Sequence, residues 1–167
     1  MTPEEMVAAA IEVAEAGMAA GEMPIGAIVV MGDEVVGSAY ASEHTLRRHL
    51  VHADLLAMIQ ADAKLAFAKR PQPLRLAVNL EPCVMCLGAA MVLGVTDIYY
   101  ALESPGDGGA GIAASWKNSP DTPFFVAPRV VGGIRRAESR DLFRRYCEDR
   151  PDNTATRWAR TLMEPQQ

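Results

Sequence analysis

Leu74-Arg75-Leu76-Ala77-Val78-Asn79-Leu80-Glu81-Pro82-Cys83-Val84-Met85-Cys86 runs from an apolar stretch into two thiols one helical turn apart. Leu74–Leu80 reads as a buried strand, because a short apolar run bounded by turn-formers suits a strand covered on both faces. Pro82 suits a helix start, where its missing N–H is not needed. Met85 to Val95 then continue as an apolar helix rich in small residues, Gly88, Ala89 and Ala90. Upstream, His52-Ala53-Asp54 sets an imidazole and a carboxylate at the start of another helix that runs to Phe67. One imidazole and two thiols, His52, Cys83 and Cys86, are three ligands for a tetrahedral metal. They leave a fourth position to water, as catalytic zinc sites do and closed structural sites do not.

The flanking segments extend this pattern. Thr2-Pro3-Glu4-Glu5 carries an N-cap, a first-turn proline and a capping-box glutamate, and opens a helix that Gly21 ends. Ile25–Met31, the turn Gly32-Asp33 and Glu34–Tyr40 predict a hairpin. At its start, Gly26 and Ala27 leave room for a planar ligand against the backbone; a crowded sheet accounts for Gly26 equally well. Ala41–Val51 has loop or short-helix character. Its His44 and His49 are read either as substrate contacts or as solvated surface residues. Asp97–Leu102 predicts another strand, and Ser104–Pro123 is too long for a simple connector. Phe124–Gly132 follows as a strand or turn, then Ala137–Glu148 as a helix. The expected domain is 1–150, with 151–167 a tail or short helix. Alternating strands and helices imply an α/β layered domain with a βαβ unit around the metal motif. Both ligand segments then sit at helix starts, where the dipole favours thiolates.

With 167 residues, half of them hydrophobic, the chain has the size and balance of one globular domain. Its three cysteines are an odd number, which argues for ligands over a disulfide framework. Cys147 reads as a small apolar residue. The formal net charge of −5 counts against a long polyanionic substrate. Residues 129–150 nevertheless hold seven arginines against four acids, a solvated helix face or a phosphate contact. No apolar run is long enough to span a bilayer, and no basic segment precedes a hydrophobic one. The expectation is a soluble cytoplasmic protein with no membrane partner.

His52-Ala53-Asp54 with Pro82-Cys83-Val84-Met85-Cys86 follows the H-x-E…P-C-x-x-C pattern of zinc deaminases, with Asp54 at the glutamate. Together with Pro24–Val30, Asn79–Ala89 and Ile98-Tyr99-Tyr100, these segments resemble the cytidine-deaminase superfamily, in particular bacterial tRNA adenosine deaminases and guanine deaminases. The resemblance implies a three-layer αβα fold around a five-stranded mixed sheet, one zinc per chain on His52, Cys83 and Cys86, and a homodimer. It implies hydrolytic deamination of a small heteroaromatic amine, a purine or related base or nucleoside. A tRNA adenosine deaminase and a zinc-binding protein with impaired catalysis are the alternatives.

The departures bear on the chemistry. Asp54 shortens the proton-carrying arm by roughly 1.5 Å; it is either catalytic or a helix cap. Glu103 resembles an auxiliary proton shuttle of guanine deaminases, and reads equally as a surface residue. Glu81 is expected to orient the Pro-Cys motif. The asparagine that the resembling families carry after the second strand is missing from Tyr40-Ala41-Ser42-Glu43-His44. Asn79 is another candidate to face the pocket, along with Gly26, Ala27, His44 and Glu81.

Overall fold

The computed structural model describes residues 1–148 and 150–164. Helix α1 (Pro3–Ala19) begins at Thr2, whose hydroxyl accepts from Glu5 N while Glu5 accepts from Thr2 N, the reciprocal capping box that the sequence predicts. The hairpin β1 (Gly26–Met31) and β2 (Glu34–Tyr40) follows, then the one-turn helix α2 (Glu43–Leu46) and α3 (Ala53–Leu65). Strand β3 (Leu74–Leu80), helix α4 (Val84–Leu93) and strand β4 (Val95–Leu102) form the βαβ unit. The chain continues through α5 (Ala110–Ser115), β5 (Arg129–Val131), α6 (Arg136–Glu148) and α7 (Thr154–Thr161).

The strands lie in the order β2-β1-β3-β4-β5. β1 is antiparallel to both β2 and β3, while β3, β4 and β5 run parallel. Alternate residues of the sheet feed two cores. Ala27, Val29, Leu76 and Val78 pack with Ala53, Ala57, Leu87 and Ala90 of α3 and α4. Ile28, Val30, Ala77 and Tyr99 pack with Met6, Ala10 and Ala14 of α1 and Leu142 of α6. The molecule is therefore a three-layer αβα domain around a mixed five-stranded sheet, as expected.

Gly26 and Ala27 are buried, and neither lines the main cavity. A Cβ on Gly26 would lie 2.3 Å from Ala14 N and 2.5 Å from Ala10 O. The close approach here is that of helix α1 to the sheet, and the expectation of a ligand at this backbone is corrected accordingly.

A third core, at the end of β3 and β4, joins Leu80 and Leu102 to Phe143, Tyr146, Ala159 and Leu162. Helix α7 is thereby part of the packed domain. Asn153 caps it by accepting from Thr156 N at 3.0 Å, and Trp158 meets Phe143 edge-on at 6.4 Å between ring centroids. The long 104–123 segment contains α5, and Gly108 bridges back to Cys83. Among the described residues, no helix is long and apolar enough to cross a membrane.

Candidate metal centre and active site

His52 and Cys83 are the N-cap residues of α3 and α4, and neither side chain makes the capping hydrogen bond usual at that position. Both are instead turned toward each other and toward Cys86, one turn into α4. His52 Nδ1 lies 3.6 Å from Cys83 Sγ and 3.8 Å from Cys86 Sγ. All three ligand atoms lie within 4.8 Å of one another. A tetrahedral zinc with ordinary Zn–N and Zn–S bonds sets its nitrogen and sulfur ligands about 3.6 Å apart. The donor set and its spacing therefore fit zinc.

The electrostatics agree. Cys83 is pulled down to about 4, first by the hydrogen bond from Cys86 and then by His52. The Cys83 thiolate in turn raises His52 to about 9, with help from Glu43. Cys86 is pushed up, because it shares its proton with Cys83 and is buried. These are groups that hold protons among themselves where a divalent ion would replace them.

His52 and Cys83 open onto a cavity of about 560 Å³, with Cys86 buried behind them. Ile25, Val78 and Leu80 give it apolar walls at the sheet end, and Tyr146, Thr154 and Trp158 of α6 and α7 close another side. Among the described residues, five carboxylates line it, from Glu22, Glu43, Asp54, Glu81 and Asp107, with His44, His49 and His52, and no lysine or arginine does. Asp54 is only 4% exposed, and burial pushes its carboxyl up. Leu55 N donates to it at 3.1 Å. Glu81 accepts from Ser104 N at 3.0 Å and Ala110 N at 2.9 Å, so it ties the loop after β4 to the Pro-Cys turn. Gly108 makes room for it, since a Cβ there would lie 2.3 Å from Glu81 Cδ. His44 lines the cavity, and its N–H donates to Glu22 at 3.0 Å.

Asn79 and Glu103 are elsewhere. Asn79 is fully buried and its amide is spent within the chain: Oδ1 accepts from Gly26 N at 2.8 Å, and Nδ2 donates to Pro24 O at 2.8 Å and to Ser139 Oγ at 3.2 Å. Its side chain fastens β3 to the start of β1 and does not reach the cavity. Glu103 is paired with Arg136, which holds its carboxyl below the usual range. It too lies outside the cavity lining. Both expectations of a direct role at the substrate are corrected by these contacts.

Sequence reasoning missed Glu43, Glu22 and the wall supplied by α6 and α7. Glu43 Oε1 lies 3.5 Å from His52 Nε2, and burial raises its carboxyl. Glu22 is 1% exposed and accepts from both His44 N and Thr45 N. The only signal for Glu43 was its place in the stretch where an asparagine was expected; Glu22 had none beyond following the Gly21 stop. The arginine-rich segment is largely neutralised within the chain: Arg129 by Asp97, Arg135 by Glu138, Arg144 by Asp141 and Glu148, and Arg145 by Glu15 and Asp141.

Residues 1–102 match the cytidine and deoxycytidylate deaminase zinc-binding region. The tRNA-specific adenosine deaminase of Bacillus subtilis is 33% identical over 139 residues, covering 83% of this chain and 84% of the relative. A solved structure from work on tRNA:A34 deaminases that edit adenosine to inosine superposes with a TM-score of 0.71 at 25% identity, over 83% of this chain and 98% of that one. A guanine deaminase from Nitrosomonas europaea superposes with a TM-score of 0.68 at 25% identity, over 87% and 84%. With its ligand triad at two helix starts and the five-stranded sheet beneath it, this chain belongs to the cytidine and deoxycytidylate deaminase zinc-binding family.

Proposed function

We propose that this deaminase is a zinc-dependent aminohydrolase of a small heteroaromatic amine, a purine or related base or nucleoside, and that it releases ammonia. The observation that carries the substrate class is the cavity wall, which among the described residues holds five carboxylates and three histidines and no lysine or arginine. A polyanion gains its affinity from basic side chains that neutralise phosphates. An acidic wall repels phosphates and favours neutral or cationic amines. The volume of about 560 Å³ suits a base or nucleoside.

When bound, zinc supplies a Lewis acid that brings the pKa of water close to neutrality. Asp54, buried beside the three ligands, carries protons to the ring nitrogen and to departing ammonia. Its place two residues after the ligand His52, in the cavity wall, suits a group that both takes and gives a proton. Ile25, Val78 and Leu80 exclude water from the ring.

An ammonia-release screen of adenine, guanine, cytosine, their nucleosides and aminated triazines on zinc-loaded protein tests the reading. At least one small amine is expected to turn over. Asp54→Ala is expected to lower kcat by about 10²- to 10⁴-fold, with zinc content unchanged. Turnover equal in wild type and Asp54→Ala would remove Asp54 from the chemistry.

The curated relatives favour a second reading, a tRNA adenosine deaminase. Inosine formation in a tRNA anticodon arm, lost on neutralising Arg140, Arg144 and Arg145, with no turnover of small amines, would establish it over the first. A homodimer accompanies the first reading. α4 leaves Val84 54% and Val92 73% exposed, apolar surface of the kind that subunit contacts bury. Sedimentation is expected to give a dimer for wild type and a monomer for Val92→Asp; a monomeric wild type refutes it.

A further inference from the structure

The five cavity carboxylates differ in how much hydrogen-bonding capacity they have left. Glu22 is held by two backbone N–H groups of α2, His44 N at 3.0 Å and Thr45 N at 2.7 Å. Glu81 is held by two more, from Ser104 and Ala110. Asp107 accepts the Ser104 hydroxyl. Asp54 accepts from Leu55 N and serves the proton transfers proposed above. Glu43 is different. Among the described residues no N–H or O–H donates to it within ordinary hydrogen-bond geometry. Its nearest charged neighbour is His52 Nε2, at 3.5 Å from Oε1, well beyond a normal N–H···O length of about 2.9 Å. An ionised carboxylate offers about four acceptor positions. No lysine or arginine among the described lining residues takes them up, so they are open to a ligand in the cavity.

Glu43 is also well held for recognition. It opens α2, whose His44 and Thr45 N–H groups are clamped by the buried Glu22. One carboxylate thus fixes the turn that presents the other. The stretch is also the one where resembling families were expected to carry an asparagine. An amide both donates and accepts, whereas a carboxylate only accepts. A ring carbonyl placed against Glu43 meets repulsion, and an amino group or protonated ring nitrogen meets a charge-assisted partner.

We propose that Glu43 is a specificity-determining residue that reads the donor edge of the substrate. The enzyme would then select heteroaromatic amines carrying, besides the amino group that leaves, a second edge of N–H donors. This rests on the reading of the protein as an aminohydrolase of small amines.

The test compares two triazines by calorimetry on zinc-loaded protein in an Asp54→Ala background, so that turnover does not intervene. One is melamine, which presents amino groups on every edge. The other is its analogue with two of those amino groups replaced by methoxy groups, which accept but do not donate. With Glu43 in place, melamine is expected to bind about 10- to 100-fold more tightly than the analogue. Adding Glu43→Ala is expected to abolish that preference. Glu43→Gln keeps an oxygen toward His52 while removing the charge, and is expected to reduce the preference and retain zinc. Equal binding of the two triazines, binding of neither, or a preference that survives in both Glu43 variants overturns the proposal. So does an undiminished preference in Glu43→Gln if the alanine variant alone has lost its zinc, since the carboxylate would then only steady His52. Ammonia release by wild type without this preference would sink only the role of Glu43. The preference without ammonia release from any amine would sink the enzyme reading instead.

Discussion

Asn79 shows how a side chain suited to substrate recognition can be consumed by the fold. Its oxygen and nitrogen bridge to Gly26, Pro24 and Ser139, at separations in sequence of 53, 55 and 60 residues. Asn79→Ala removes the partners of Gly26 N and Pro24 O, at a cost of about 1–3 kcal/mol each before the site relaxes, while Ser139 keeps its bond to the backbone oxygen of residue 79. The variant is expected to unfold at lower temperature while the KM of any accepted amine stays at the wild-type value; a raised KM with unchanged stability would return Asn79 to the pocket. The same distances explain what sequence could convey. His52, Cys83 and Cys86 were legible because ligand chemistry is carried by residue type at short spacing. The fates of Asn79 and Glu103 were set by partners far along the chain, Pro24 and Arg136, which no local pattern names. Glu43 was visible only as a departure, since its meaning depends on facing His52.

Among the elements, the strands and long helices of the core were legible from period and capping, and α5 was not. At six residues it has too few turns to display a helical period. Strand β5 spans only three residues within the longer apolar run 124–132, because β4 offers it a partner only at Asp97, Ile98 and Tyr99. Helix packing also resolved the ambiguity of Gly26. With Ala14 N and Ala10 O closer than 3 Å to any added Cβ, α1 lies against the bare backbone of β1. Gly26→Ala must push the helix away, and overpacking of this kind costs about 1–3 kcal/mol. Thermal or urea unfolding is expected to show that loss, and a variant as stable as wild type would mean that α1 moves freely on the sheet.

At the scale of the molecule, the metal triad joins the two helices on one face of the sheet at their N-terminal ends. His52 and Cys83 hold positions where serine or aspartate would ordinarily satisfy free helix N–H groups, and they make no such bond. Zinc held by His52, Cys83 and Cys86 would instead tie the N-terminal ends of α3 and α4 to each other. Chelation is expected to lower the unfolding temperature and to loosen amide protection first around residues 53–56 and 84–87; an apoprotein as stable and as protected as the loaded form would contradict this. Free zinc thus becomes a variable of the folding equilibrium: above saturation each tenfold rise adds about 1.4 kcal/mol to stability. A chain that has not found its ion is then both catalytically silent and the first to open, so that metallation and survival are selected together.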